Sequence, residues 1–281
     1  MTIDDHFESE YNARAAVPEH VDILAGWQRR GEALRESRPR ELDLAYGDGE
    51  RNKVDLFRRD AAGGPLHMFI HGGYWQRGDR QANHFVAEGL CARGVNVALI
   101  GYDLCPSVTL DDIVAQARAA LAWLWRNGEA LGFDRGRIQI GGHSAGGHLT
   151  AMLMATRWRE LGDDLPADLI HSAIAISGLY ALGPLRHTSL NEAVAMDADT
   201  ARRNSPALLP PATAAPLVAA VGGLESAEFH RQAEVLAGAW RNQGVPLETL
   251  EVPGTNHFTI LEELAGEGVL LERALALLEP S

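Results

Sequence analysis

"IQIGGHSAGGHLTAMLMAT", residues 138–156, passes from an apolar strand-like run into an Ala-, Leu- and Met-rich helical stretch through one short turn. The turn holds G-x-S-x-G as Gly142, His143, Ser144, Ala145 and Gly146. The pentapeptide alone is a common match; its position between strand and helix gives it meaning. A serine nucleophile on a tight strand-to-helix turn needs small neighbours, because the bend crowds its flanks. The turn lifts the hydroxyl clear of the sheet and sets it near the positive end of the next helix, where developing negative charge is favoured. The competing reading is a glycine-rich helix start that holds a phosphate. That reading lacks both the Walker lysine and a G-x-G-x-x-G spacing after the first strand.

Outward from this turn the pattern alternates. The strand-like runs are "ELDLAY", "KVDLF", "LHMFI", "VNVALI", "RIQI", "IHSAIAIS", "PLVAAV" and "LETLEV". From the third onward, nearly every run is followed by a helix-period stretch such as "DDIVAQARAALAWLWRNGEAL" or "FHRQAEVLAGAWRNQG". Short apolar strands alternating with amphipathic helices predict a mostly parallel eight-stranded α/β sheet with helices on both faces. The close spacing of the first two runs predicts an antiparallel lead-in. Residues 1–281 read as one domain without a flexible linker. It carries a helical segment over 1–39, "EHVDILAGWQRRGEALRES" after Pro18, and an irregular excursion over the sheet at 178–216. These two pieces are the expected small cap.

A serine hydroxyl is a poor nucleophile without a base. On a strand–turn–helix of this kind the partners follow in the order acid, then histidine. Five histidines follow Ser144. His148 lies one helical turn on and points away from the serine oxygen. His171 starts a strand, His187 falls in the excursion and His230 lies inside a helix. His257 alone sits in a loop, "PGTNHF", after the last strand, where a doubly wound sheet places its chemistry. The acid belongs just after "PLVAAV". No aspartate occurs after Asp199, so it must be a glutamate. Glu225 follows the strand directly in "VGGLES"; Glu228 begins the next helix and reads as an N-terminal helix charge. Glu225 is therefore the expected orienter of His257.

"HGGYW" at 71–75, "GHSAGGHL" at the turn and "NHF" at 256–258 together resemble the α/β-hydrolases of the hormone-sensitive-lipase and carboxylesterase group. They resemble most closely the serine-dependent arylformamidases (kynurenine formamidases), whose oxyanion motif is H-G-G-x-W. "YNARAAVPEH", "SGLYALGPL" and "ESAEFHRQ" extend the likeness over nearly the whole chain. One departure is Glu225, where the animal enzymes carry an aspartate. The resemblance implies an α/β-hydrolase fold and hydrolysis of N-formyl-L-kynurenine to L-kynurenine and formate through a formyl-serine. Backbone N–H groups of Gly73, Tyr74 and Ala145 are the expected oxyanion donors, with Gly72 allowing close approach and His71 anchoring the loop. Trp75 and Tyr74 are candidates for a pocket wall, and packing beneath the loop is the alternative for both rings. Arg77, Asn191 and the N-terminal helical stretch are candidates to meet the far end of a substrate. Two other functions stay open: a general carboxylesterase of small acyl esters, and a non-catalytic small-molecule receptor on a hydrolase fold.

Composition narrows the partners. A formal net charge of −13 disfavours nucleic acid and anionic membrane, which need clustered Lys and Arg. No apolar run reaches spanning length, and the acidic first twenty residues do not read as a secretory signal. The two cysteines, Cys91 and Cys105, make no disulfide framework, and a reducing cytoplasm fits them. No H-E-x-x-H or other metal-ligand spacing occurs, so neither metal nor cofactor is expected. The expected partner is a small-molecule substrate, and a homodimer is compatible with the sequence.

Overall fold

Leu66, Met68 and Ile70 turn to one face of the strand Leu66–Ile70 and Phe69 to the other, each wholly buried. A strand buried on both faces needs helices above and below it. The computed structural model describes residues 3–59, 61 and 63–279 and shows that arrangement; the first two residues of the expected N-terminal segment lie outside the described residues. The strands are β1 Arg40–Ala45, β2 Lys53–Phe57, β3 Leu66–Ile70, β4 Asn96–Ile100, β5 Ile138–His143, β6 Ser172–Ile176, β7 Leu217–Gly222 and β8 Leu247–Val252. They form one eight-stranded sheet in the order β1-β2-β4-β3-β5-β6-β7-β8. β2 runs antiparallel to both β1 and β4, and every pairing from β4 onward is parallel.

One apolar layer contains Leu110, Leu121 and Leu124 of the helix Leu110–Asn127 together with Leu149 and Leu153 of the helix Ala145–Met154. The first of these helices starts at a capping box, Thr109 with Asp112, which satisfies two otherwise orphaned amides. The opposite layer contains Trp27 and Leu34 of the helix His20–Ser37 with Leu270, Leu271 and Ala274 of Val269–Ala276. The N-terminal segment thus packs into the body of the fold. Trp27 stacks on Phe85 at 4.7 Å and donates its indole N–H to Glu262.

The excursion at 178–216 is more ordered than the sequence indicates. It contains the short helices Asn191–Val194 and Ala198–Arg203 and two 3-10 turns, elements too brief to show a period. Among the described residues no helix is long and apolar enough to cross a membrane.

Candidate active site

The strand order decides which loops meet. β3 and β5 are neighbours, as are β7 and β8, and β6 lies between the two pairs. Since all five run parallel, the loops after Ile70, His143, Gly222 and Val252 leave the same edge of the sheet. Ser144 leaves β5 with φ 57° and ψ −117°, an unusual backbone for a residue with a Cβ. Such a conformation costs on the order of 1–3 kcal/mol and persists only where its surroundings enforce it. Here the Ser144 N–H donates to the Ile176 carbonyl at 2.8 Å, and the Ser144 carbonyl accepts from His148 at 3.1 Å. The glycines are required by space. A Cβ on Gly146 would lie 1.9 Å from the Ile70 carbonyl oxygen, and one on Gly142 2.4 Å from that of Gly146.

Glu225 and His257 are joined. Glu225 Oε2 accepts from His257 Nδ1 at 2.6 Å, while Oε1 accepts from Ser177 Oγ at 2.5 Å and the Gly222 N–H at 2.7 Å. With Nδ1–H committed to the carboxylate, Nε2 is the ring nitrogen left to accept a proton. Ser144 and His257 line one cavity. The residue before the serine, His143, carries no functional signal in the sequence. It donates Nε2–H to the His257 carbonyl at 2.7 Å, with the two rings 4.6 Å apart. Burial, followed by the proximity of His257, holds the His143 imidazole well below its usual value. It is a neutral clamp on the His257 loop. Phe229 packs against the His257 ring at 4.6 Å.

The loop after β3 lies directly against the serine turn. A Cβ on Gly72 would stand 2.8 Å from the His143 carbonyl oxygen and 3.1 Å from Ser144 Cβ. Gly73, Tyr74 and Trp75 all have positive φ, at 117°, 50° and 58°. The Gly73 carbonyl accepts the Gln76 and Arg77 amides, closing a turn. The backbone amides of Gly73, Tyr74 and Ala145 bond to no group among the described residues. His71 stacks on Tyr102 at 4.2 Å, and its Nδ1 donates to the Gly72 carbonyl at 2.8 Å. Burial lowers its imidazole to about 4, so it is neutral near pH 7.

Two expectations need correction. Trp75 does not line the cavity. The left-handed backbone turns its ring inward, where it is wholly buried and its Nε1–H donates to His148 Nδ1 at 3.2 Å. His148 in turn donates Nε2–H to the Asn204 carbonyl at 2.8 Å, so Trp75 pins the glycine loop to the helix behind Ser144 and to the excursion. Asn191 is also away from the cavity. It is buried, and its side-chain amide bridges the Met196 N–H and carbonyl. Tyr74 and Arg77 do line the cavity.

The cavity encloses about 640 Å³, and much of its wall comes from residues 8–28, including Glu8, Tyr11, Arg14, His20 and Leu24. A buried polar cluster fixes this segment. Tyr11 donates its hydroxyl to Glu228 and accepts from Gln232 Nε2 at 2.8 Å, and Tyr74 Oη donates to the Tyr11 carbonyl at 2.5 Å. Glu228 is thus more than a helix charge. Burial opposes its ionisation, yet hydrogen bonds from Arg231 and Tyr11 hold its carboxyl below the ordinary value. Glu228→Ala leaves the Tyr11 hydroxyl without its acceptor in a buried place. The expected result is a loss of about 1–3 kcal/mol in urea unfolding, with turnover still measurable. A dead Glu228→Ala beside an active Glu225→Ala would reverse the assignment of the acid.

Residues 67–261 match the family described as alpha/beta hydrolase fold. The chain is 31% identical to the kynurenine formamidase of Salmo salar over 261 residues, covering 90% of this chain and 85% of that protein. It is 30% identical to the kynurenine formamidase of Danio rerio, covering 94% and 89% of the two chains. Among solved structures, a candidate thioesterase from Silicibacter sp. tm1040 superposes with a TM-score of 0.84 at 32% identity, over 95% of this chain and 97% of that one. Esterase B of Lactobacillus rhamnosis, at 20% identity and a TM-score of 0.69 over 92% and 96%, shares the fold. The chain is a hydrolase and belongs to the kynurenine formamidase family of alpha/beta hydrolases.

Proposed function

We propose that this hydrolase cleaves aryl formamides, with N-formyl-L-kynurenine as substrate and L-kynurenine and formate as products. The observation that carries the reading is the bonded Glu225–His257 pair opening, beside Ser144 and the Gly72–Gly73 loop, onto a cavity walled by the N-terminal segment. The likeness to the kynurenine formamidase of Salmo salar, over nine-tenths of the chain, supports the same reading. Ser144 Oγ attacks the formyl carbon as His257 Nε2 takes its proton. Glu225 stabilises the imidazolium that forms. The carbonyl oxygen becomes an oxyanion held by the free amides of Gly73, Tyr74 and Ala145. Each such donor contributes about 3 kcal/mol in the transition state. An anilide nitrogen is a poor leaving group, so His257 returns its proton to that nitrogen as the C–N bond breaks. Water, deprotonated by His257, then adds to the formyl-serine. Formate departs and Ser144 regains its proton.

The same parts cleave activated esters, so esterase activity does not discriminate between the two substrate classes. The test is kcat/KM for N-formyl-L-kynurenine against p-nitrophenyl acetate on the purified protein. The expected result is turnover of both, with the formamide favoured. Ester hydrolysis with no formamide turnover assigns the protein to the general carboxylesterases instead.

A further inference from the structure

Many arginines in this acidic chain rest against a carboxylate: Arg30 on Glu88, Arg58 on Glu41, Arg80 on Asp55 and Arg203 on Asp111. Arg14 and Arg77 do not. Both line the cavity that contains Ser144 and His257, and neither reaches a carboxylate within ion-pair distance among the described residues. They are also near enough to repel each other: partial burial, followed by the charge of Arg77, lowers the Arg14 guanidinium below its ordinary value. Arg14 and Arg77 thus place two cations on the border of one cavity that also holds Ser144 and His257. Their repulsion is relieved when an anion sits between them, and a guanidinium fork suits a carboxylate.

The mounting is firm on both sides. Arg77 ends the turn that begins at Gly73, so it is fixed relative to the glycine loop. Arg14 belongs to the short helix Ala13–Ala16, which follows Tyr11 and its buried bonds to Glu228 and Gln232. Glu8 lines the same cavity, with its carboxylate held by the Ser189 N–H and Oγ at 2.7 Å each. Two cations and one anion bordering one cavity are complementary to an α-amino acid.

We propose that Arg14 and Arg77 form a carboxylate subsite that holds the non-reacting end of the substrate, with Glu8 placed for the neighbouring ammonium. The enzyme then selects aryl formamides that carry an α-amino acid over neutral formanilides. This rests on the formamidase reading above. Binding the remote carboxylate orients the formyl group toward Ser144.

The test uses the full-length protein and a matched pair: N-formyl-L-kynurenine, and 2-formamidoacetophenone, the same formanilide without its amino-acid end. The wild type should favour the charged member in kcat/KM. Arg14→Gln and Arg77→Gln should each lower the ratio of the two kcat/KM values at least about tenfold, chiefly through KM for the charged substrate. Arg77→Lys should restore part of it, and added salt should erode it in the wild type. An unchanged ratio in both glutamine variants, or an equal fall for both substrates, overturns the subsite. If the wild type cleaves neither formamide, the formamidase reading fails by itself. The subsite is then decided on an ester pair, 4-acetoxyphenylacetic acid against phenyl acetate. A preference for the acid that the glutamine variants remove supports it, and no preference overturns it.

Discussion

Ser144→Ala should lower kcat by about 10⁴-fold or more on formamide and ester alike, and should abolish labelling by a fluorophosphonate. The size follows from what the hydroxyl does in the proposed path. Without Oγ no formyl-serine forms, and only binding and the oxyanion donors remain to assist attack by water. The variant should fold, because the bonds that shape the turn belong to the Ser144 backbone: its N–H to Ile176 and its carbonyl from His148. Alanine keeps a Cβ, so it meets the same φ of 57° with little change in strain. Native-like circular dichroism beside lost labelling is therefore the expected pair of results. Labelling that survives in the variant would place the nucleophile elsewhere.

Glu225→Gln should lower kcat by about 10³–10⁴-fold while leaving the fold intact. Two donors, Ser177 Oγ and the Gly222 N–H, converge on Glu225 Oε1. In the glutamine variant those donors hold the amide oxygen where Oε1 now stands, so the NH₂ group faces His257 Nδ1. An NH₂ group cannot accept from Nδ1–H. The imidazole must shift to its other tautomer, with the proton on Nε2, and Nε2 can then no longer take the Ser144 proton. Pre-steady-state kinetics on p-nitrophenyl acetate separate this from loss of binding: the acylation rate constant falls while the Ks read from its concentration dependence changes little. A variant with near-native acylation would show that Glu225 does not set the tautomer.

The eight strands were legible because each is a short apolar run set off by turns or polar stretches. Boundaries slipped where glycine interrupts the pattern. β5 continues through Gly141 and Gly142 to His143 because those residues pair with β3 and β6, although they carry no hydrophobic signal. That Glu225 pairs with His257, and that His257 shares a cavity with Ser144, was legible through order along the chain, since the fold ties that order to adjacent strand ends. What sequence could not show was side-chain direction in irregular backbone. Trp75 was a candidate pocket residue until its φ of 58° turned the indole inward to His148. Asn191 looked available and instead closes its own loop on Met196. Tyr11 and Glu228 lie 217 residues apart, and no local pattern signals their contact. His143 occupies the variable position of G-x-S-x-G, so the motif carries no information about its bond to the His257 carbonyl.

The cavity wall has two origins. The edge of the sheet supplies Ser144, His257 and the glycine loop, while residues 8–28 supply much of the facing surface. The two stretches meet at a few buried bonds centred on Tyr11, whose carbonyl accepts from Tyr74 of the glycine loop. A change in residues 8–28 that spares Tyr11 alters the facing wall and leaves the Glu225–His257 pair and the serine turn untouched.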